Sequence, residues 1–264
     1  MNTIDQFSFL DKKAIIRVDF NVPLNNGEVT DNSRIVAASP TIKKIISDGG
    51  SCILMSHLGR PKGVDQSLSM GNIAKEVERV LGAEILLSRD VIGPDAKSKS
   101  KALKPGEILL LENLRFHKEE TEGDVAFAEE LSKLADCYIN DAFGTAHRAH
   151  ASTTIIAQFF EYKFFGRLLE KEVLSIDKVM KSGEKPVLAI LGGAKISTKI
   201  PIVENIMDVV DDIIIGGGMS FTFVKALGGS IGNSIHEDEM INTCLLYTSP
   251  SPRDATLSRM PSSA

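Results

Sequence analysis

Cationic side chains are concentrated at a few points of this 264-residue chain, most densely in the segment GTAHRAHAS. This segment places His147, Arg148 and His150 within four consecutive positions. Three kinds of site fit such a group: a metal site, a catalytic pair of histidines, or a binding site for an anion. A guanidinium group matches phosphate and carboxylate oxygens with a planar fork of N–H donors, so the arginine favours an anion.

Further cationic side chains follow apolar runs that predict buried strands. His57 and Arg60 lie in SHLGR, and Arg115 lies in ENLRF. Ligands of open α/β sheets bind outside the carboxyl ends of parallel strands, so these residues are expected at one sheet edge with Arg148. Arg34 lies nearby at a predicted helix start. A single arginine after a strand could be a solvated surface charge, but four at one edge predict a site for a small, highly charged anion.

A metal site at His147 and His150 is the alternative to anion binding. These histidines have no cysteine or carboxylate cluster near them in the sequence beyond Asp141, and metal-binding histidines usually have such partners. The cysteines are few and lack metal-ligand spacing: Cys52, Cys137 and Cys244. Their number and pattern also fit a reducing compartment without a disulfide framework.

Short apolar runs alternate with amphipathic stretches, the pattern of an α/β protein with a parallel sheet. The runs cover residues 14–20, 51–57, 107–113, 137–141, 186–193 and 211–218. Their near-continuous hydrophobicity suits strands buried on both faces. Helices are predicted over residues 34–48, 71–82 and 124–136, the last capped by Asp124. The expected fold class is α/β, with a doubly wound parallel sheet in an N-terminal lobe and the beginning of a second α/β lobe.

A long helical pattern over residues 165–181 ends in a Ser-Gly-Glu-Lys-Pro breaker. We therefore expect an N-terminal lobe over residues 1–165, an interdomain helix and hinge over 166–185, and a second lobe over 186–243. The remaining segment, CLLYTSPSPRDATLSRMPSSA, holds three of the ten prolines and has no helical or strand period. It predicts a disordered tail over residues 244–264 that belongs to neither lobe.

Glycines stand at two predicted strand-to-helix turns of the second lobe, in LGGAKISTKIP and IIIGGGMSFTF. Backbone N–H groups and a helix N-terminus can hold phosphate at such turns. Lys195 and Lys199 are four residues apart, so they are predicted to share one face on the first turns of a helix. Neither segment matches a known phosphate fingerprint by spacing, so tight turns without a ligand stay open as an alternative.

The overall charge limits the classes of partner. A net charge of −5 and a pI near 5.6 leave no global field for nucleic acid or anionic lipid. The sequence shows neither the n-region and h-region of a signal peptide nor about 18 consecutive apolar residues. We expect a soluble, cytoplasmic protein that binds neither nucleic acid nor membranes.

Six motifs together resemble the phosphoglycerate kinase family. RVDFNVPL, SHLGRPKG, LLLENLRFHKEE, NDAFGTAHRAHAS, LGGAKIS and IIGGGMSFTF occur in this order and at family-like spacing within about residues 4–242. The resemblance implies a monomeric glycolytic enzyme that transfers a phosphoryl group between 1,3-bisphosphoglycerate and ADP, giving 3-phosphoglycerate and ATP, with Mg²⁺ on the nucleotide. It also implies two doubly wound lobes joined by a hinge, with phosphoglycerate on the first and nucleotide on the second.

The same resemblance assigns roles to individual residues. The implied phosphoglycerate-binding residues are Asp19, Phe20, Asn21, Arg34, His57, Leu58, Gly59, Arg60, Arg115 and Arg148. The implied nucleotide-binding residues are Gly193, Ala194, Lys195, Lys199, Gly217 and Gly218. Arg34 and Lys195 would be catalytic, stabilising charge without acting as acid or base, because phosphoryl transfer leaves a protein little covalent chemistry. By this resemblance HRAH is an anion-binding segment.

The sequence also departs from the family. Thr198 stands where many relatives have an aspartate near the metal, so no residue is assigned as a protein ligand of the metal. A later Gly-Asp phosphate loop and an acidic ribose-binding residue are missing, and CLLYTSPSPRD resembles a translated sequencing-library adapter. We therefore expect a C-terminally truncated, poorly active chain with a non-native tail. The alternative is a non-catalytic module that binds a phosphometabolite; a dehydrogenase is disfavoured because G-x-G-x-x-G is missing.

Overall fold

The computed structural model describes residues 2–248, except for the side chain of Ser182. The chain divides into two compact units, and the boundary falls between Leu174 and Ser175. Within the described residues, no helix is both long and apolar enough to cross a membrane.

The first unit is built on eight strands and the helices that connect them. Its strands are β1 (Lys13–Arg17), β2 (Leu24–Asn25), β3 (Glu28–Val29), β4 (Ser51–Met55), β5 (Ile85–Leu87), β6 (Ile108–Leu110), β7 (Cys137–Asn140) and β8 (Lys163–Phe165). Its helices are α1 (Ser33–Ser47), α2 (Gly71–Leu81), α3 (Pro94–Ala102), α4 (Lys118–Glu122), α5 (Val125–Ser132) and α6 (Phe143–Ala146), followed by α7 (Arg167–Ser182). Short 3₁₀ helices cover Ile4–Gln6, Gln66–Leu68, Leu114–Phe116 and Ile155–Phe159.

Six of these strands form one parallel sheet in the order β5-β6-β4-β1-β7-β8, while β2 and β3 form a separate antiparallel hairpin. Because the six strands are parallel, the loops that follow them leave the sheet at one edge. The connections after β4, β6 and β7 carry His57, Arg60, Arg115 and Arg148, while Arg34 lies in the first turn of α1.

Both faces of the sheet are buried. Alternate residues of each strand point to opposite faces, and each set packs into a core. Ala14 and Ile16 of β1 pack into one core with residues of α1 and α2, whereas Ile15 packs into a second core with residues of α5. β4 divides in the same way, with Cys52 and Leu54 on the first side. Helices thus cover both faces of the sheet. The predicted doubly wound α/β fold is confirmed.

α7 begins next to a buried carboxylate that comes from a distant part of the chain. Asp141 follows β7, and its Oδ1 accepts the N–H groups of Leu168 at 2.9 Å and Leu169 at 3.1 Å. These N–H groups have no partner within the helix, so Asp141 caps α7. Burial raises the pKa of Asp141. The predicted helix over residues 165–181 is present as α7, and its role as an interdomain connection stays a prediction.

The second unit contains a parallel pair, β9 (Leu188–Gly192) and β10 (Asp212–Gly216). Its helices are the end of α7, α8 (Ile200–Ile206), α9 (Ser220–Ala226) and α10 (Ile241–Thr248), and a 3₁₀ helix covers Asp238–Met240. Leu191 and Ile215 pack against a small core of Ile196, Met219, Phe223 and Cys244. Their neighbours Ile190 and Ile214 point the other way and are 70% and 50% exposed. The pair therefore has one covered and one solvent-exposed face.

α10 corrects the expected start of the disordered tail. Cys244–Thr248 are helical, and the Cys244 side chain is fully buried in the core of the second unit. An apolar side chain that fills a core site can hold a helix in place despite a weak amphipathic pattern in the sequence. Residues 249–264, the rest of the predicted tail, lie outside the described residues.

Candidate anion-binding site

Three of the predicted arginines line one cavity at the carboxyl edge of the sheet. Arg60, Arg115 and Arg148 surround a volume of about 790 Å³. Two lysines that the sequence analysis did not single out, Lys62 and Lys118, share its wall. Glu119 contributes a carboxylate to the same lining, so the cationic side chains outnumber it. Burial and the charges of Arg148, Arg17 and Arg60 lower the pKa of Arg115. The cavity thus concentrates positive charges, and a bound anion would reduce the repulsion between them.

Asn113, which sequence reasoning missed, holds two walls of this cavity together. Its Oδ1 accepts the N–H groups of Leu58 at 3.2 Å and Arg115 at 3.0 Å. Its Nδ2 donates to the carbonyls of Leu58 and Leu68, both at 2.8 Å. Arg115 Nη1 then donates to the Gly59 carbonyl at 2.7 Å. The side chain that follows β6 therefore fixes the loop that follows β4.

Gly59 is required by the backbone of that loop. Its φ of +63° favours glycine, and a Cβ there would also lie 2.8 Å from the end of the Leu68 side chain, which would have to shift. Its N–H donates to Asn21 Oδ1 at 2.8 Å, which brings the loop after β1 to the same place. Phe20 and Leu58, which the resemblance also implied as ligand-binding residues, are buried in the core. The Phe20 N–H itself donates to Ser56 Oγ at 2.8 Å.

Asp19 and Arg34 form an ion pair, with 2.6 Å between Oδ2 and Nη1. They line a second cavity, of about 320 Å³, together with Phe143 and Gly144. Arg34 is exposed over about half of its side chain, so its donors are accessible to a ligand. The structure thus places Asp19 and Arg34 apart from the lining of the larger cavity.

His57 is 4% exposed, and its Nδ1 lies 3.1 Å from Arg17 Nη2. A guanidinium group can only donate, so Nδ1 accepts and Nε2 carries the ring proton. Burial, followed by the charges of Arg17, Arg115, Arg148 and Arg34, lowers the pKa of His57 to about 2. At neutral pH His57 is therefore a neutral hydrogen-bond donor.

The lowered pKa of His57 predicts a loss of stability in mild acid. Between about pH 6.5, the usual pKa of an unfolded histidine, and the folded value, the unfolded chain binds one more proton at this site. The free energy of unfolding should therefore fall by about 1 kcal/mol between pH 6.5 and pH 5.5 from this group alone. His57→Asn keeps an acceptor for Arg17 but cannot titrate. Urea unfolding should show a shallower pH slope for the variant, and equal slopes would contradict the prediction.

The two histidines of HRAH have different surroundings. His147 is exposed and ends α6, while His150 Nδ1 lies 3.8 Å from the buried carboxylate of Glu120. Burial is the main cause that lowers the pKa of His150. Within residues 2–248, no three His, Cys, Asp or Glu side chains are arranged to hold a metal ion. Arg148 of the same segment lines the larger cavity, which favours the anion interpretation.

The glycines of the second unit meet at the carboxyl ends of β9 and β10. The Gly193 carbonyl accepts the N–H of Met219 at 2.9 Å. Gly217 has a φ of +69°, and a Cβ there would lie 2.9 Å from the Gly193 carbonyl oxygen. A Cβ on Gly218 would come within 3.2 Å of Ala194 Cα. The two loops pack backbone against backbone, which accounts for the glycines whether or not a ligand binds.

The two lysines of this unit are not on a helix as predicted. α8 begins at Ile200, after the cap residue Lys199, and Lys195 lies in the preceding turn. Pro201 explains the late start, because proline fits the first turn of a helix, where no N–H bond is needed. Glu237 holds this turn: it accepts the Ser197 N–H at 3.0 Å and the Ser197 hydroxyl at 2.5 Å.

The fold and the cationic edge define an open-sheet α/β protein whose ligand edge suits an anion. The family model "Phosphoglycerate kinase" matches residues 4–254. The chain therefore belongs to the phosphoglycerate kinase family.

Curated and solved relatives agree with this assignment. The "Phosphoglycerate kinase" of Porphyromonas gingivalis is 49% identical over 91% of this chain and 64% of its own length. That of Moorella thermoacetica is 49% identical over 90% of this chain and 61% of its own length. The solved phosphoglycerate kinase of Coxiella burnetii has a TM-score of 0.79 at 37% identity, covering 93% of this chain and 62% of the other. The chain thus spans about three fifths of the length of these relatives.

Proposed function

We propose that this chain carries the phosphoglycerate-binding lobe of a phosphoglycerate kinase. The whole enzyme would transfer a phosphoryl group from 1,3-bisphosphoglycerate to ADP, giving 3-phosphoglycerate and ATP in glycolysis. The observation that carries the proposal is the shared cavity of Arg60, Arg115 and Arg148. Its excess of guanidinium groups suits a small phosphorylated acid, since each can bind phosphate or carboxylate oxygens in pairs. Membership of the family supports the same assignment.

The proposed phosphoglycerate site uses both side chains and backbone. Arg60, Arg115 and Arg148 supply charge, and His57 adds a neutral Nε2–H donor. Asn21 and Asp19 act by orientation, because Asn21 fixes the Gly59 loop and Asp19 holds Arg34. Catalysis by such a site is positioning and stabilisation of charge on the transferred group, which is the role proposed for Arg34.

The second unit is proposed to bind the phosphates of ADP and ATP. The contributing residues would be Gly193, Ala194, Lys195, Lys199, Gly217 and Gly218. Backbone N–H groups at the ends of β9 and β10 can approach phosphate closely because the glycines carry no side chain. Lys195 is exposed and supplies the positive charge expected of a catalytic residue at the transferred group.

Residues 2–248 do not build a magnesium site of their own. No cluster of three metal-binding side chains occurs in the described part of the chain, and Thr198 Oγ1 donates to the Lys195 carbonyl at 3.1 Å. We therefore assign magnesium to the nucleotide substrate, as Mg-ADP and Mg-ATP, with no protein ligand named. A cytoplasmic monomer without nucleic-acid or membrane partners is also proposed, supported by three free, buried cysteines and the net negative charge.

Arg148→Ala should weaken the binding of 3-phosphoglycerate about 10- to 100-fold, the range expected when one hydrogen bond to a charged group is lost. Calorimetry on the 264-residue chain measures this directly. Arg79→Ala is the matched control, because Arg79 is an exposed arginine that pairs with Glu76 on α2. Equal affinities for wild type and Arg148→Ala would remove Arg148 from the site. A chain that binds 3-phosphoglycerate, while its full-length form makes no ATP in a coupled assay, would favour the non-catalytic module.

A further inference from the structure

Arg17 is a fully buried cation beneath the candidate site. It ends β1 on the side of the sheet to which Ile15 points, and it is 1% exposed. Each of its nitrogens has a partner: Nη1 donates to the Val18 carbonyl, Nε donates to Ser152 Oγ at 2.9 Å, and Nη2 donates to His57 Nδ1 at 3.1 Å. The guanidinium plane is therefore fixed by contacts on three sides.

Ser152 connects Arg17 to a buried carboxylate. Its hydroxyl donates to Glu120 Oε1 at 2.6 Å, and its N–H donates to Glu120 Oε2 at 2.9 Å. A hydroxyl has one proton, so once that proton is given to Glu120 the oxygen can only accept from Arg17. The direction of each bond is thereby settled: Arg17 donates to Ser152 and to His57, and Ser152 donates to Glu120.

Glu120 and Ser152 lie outside the lining of the cavity that Arg60, Arg115 and Arg148 form. Both are fully buried. A buried carboxylate and a buried guanidinium each lose several kcal/mol of hydration, so the pair is retained only where its bonds compensate. Ser152 supplies that compensation for both groups, because it bonds to each of them.

We propose that Glu120 and Ser152 are positioning residues for the anion site. They hold Arg17 in the orientation in which it donates to His57 Nδ1, and this keeps the ring proton of His57 on Nε2, the donor that the proposed function assigns to the anion. The inference rests on the proposed function of the cavity. It adds two residues that act through Arg17 and His57 without touching the ligand.

Two substitutions separate the charge from the hydrogen-bonded link. Glu120→Gln removes the negative charge and keeps a side chain of the same shape, while Ser152→Ala removes the link to Arg17. If Glu120 acted only through its charge, Glu120→Gln would strengthen anion binding, because a carboxylate that repels the anion is removed. If Glu120 positions Arg17, Glu120→Gln should instead weaken anion binding, because Arg17 and His57 lose their fixed geometry.

The first measurement is nuclear magnetic resonance on the unliganded 264-residue chain. In wild type, the Arg17 Nε–H should be protected from solvent exchange, and the ring nitrogens of His57 should report a proton on Nε2 and a bonded Nδ1. In Ser152→Ala that protection and the Nδ1 bond should be lost. Ser100→Ala is the matched control, because Ser100 is also buried and its hydroxyl donates to the Leu134 carbonyl at 2.6 Å. An unchanged Arg17 and His57 signal in Ser152→Ala overturns the proposal.

The second measurement is calorimetry with 3-phosphoglycerate. Ser152→Ala and Glu120→Gln should each weaken binding about tenfold, with Ser100→Ala at the wild-type value. Tighter binding by Glu120→Gln would reduce Glu120 to a counter-charge and overturn its positioning role. If Ser152→Ala does not fold, Ser152→Thr tests the same link by keeping the hydroxyl, and it should retain wild-type binding. A wild-type chain that does not bind 3-phosphoglycerate contradicts the proposed function, whereas the resonance experiment tests the network separately.

Discussion

Asn113→Ala should lower the free energy of unfolding by about 2 to 6 kcal/mol, because the N–H and the carbonyl of the buried residue Leu58 each lose a partner at a cost of about 1 to 3 kcal/mol. The substitution removes the acceptor of two N–H groups and the donor to two carbonyls. Urea unfolding followed by circular dichroism measures the change. The cavity should also lose its geometry, because Asn113 holds both Arg115 and the Gly59 loop. Affinity for 3-phosphoglycerate should fall even under conditions where the variant is folded.

Asn72→Ala is the control for this experiment. Asn72 Nδ2 also donates to two carbonyls, those of Gln66 and Ser67, but the residue is exposed. Water can replace those bonds, so the expected change is within about 0.5 kcal/mol. Similar losses in the two variants would show that Asn113 has no special role in joining the loops.

Phosphoryl transfer by the 264-residue polypeptide should be at least about a hundredfold slower than transfer by a full-length relative, since a displacement of about 1 Å in a bound reactant already costs this much. The reason lies in the second unit, whose β9–β10 pair leaves one apolar face exposed and whose core has four buried residues. So little buried surface holds a nucleotide site loosely. The measurement is ATP formation from 1,3-bisphosphoglycerate and Mg-ADP.

The Moorella thermoacetica relative, 49% identical to this chain, is a suitable full-length comparison. Binding of 3-phosphoglycerate should be retained by the 264-residue chain, because the proposed site lies within the first unit. Retained binding with slow transfer would locate the defect in the second unit. Comparable rates of ATP formation would contradict the prediction.

Apolar runs located the central strands well but not their ends. The run at residues 14–20 continues three residues past the end of β1 at Arg17. Val18 and Phe20 are nevertheless fully buried, in a loop. A hydrophobic run indicates burial, and a buried residue need not be in a strand where the chain passes from a strand into a loop that enters the core. β5 and β8 were missed because each has three residues and stands in no longer apolar run, whereas β6 is as short but lies inside the run at residues 107–113.

The grouping of three arginines in one cavity was predicted from strand order, and their role in binding stays a prediction. Parallel strands bring their carboxyl ends together, and this was enough to group Arg60, Arg115 and Arg148. Asn113 and Glu120 were not predicted, because their roles depend on partners 55 and 32 residues away in the sequence. Glu120 stands in a run of charges that resembles a solvated helix face. Only the packing of α4 shows that it is buried.

The order of strands in the first sheet also sets the order in which the chain can fold during synthesis. β1 is central, and its register with β7 brings Lys13 to Asp136, 123 residues later. Ribosomes add about 5 to 20 residues per second, so one edge of β1 waits roughly 6 to 25 s for its partner. Through that interval an apolar strand has unpaired backbone groups along one side, the form that associates with other strands. The strand order therefore gives the nascent chain a period in which the free edge of β1 can pair with another chain unless a chaperone covers it.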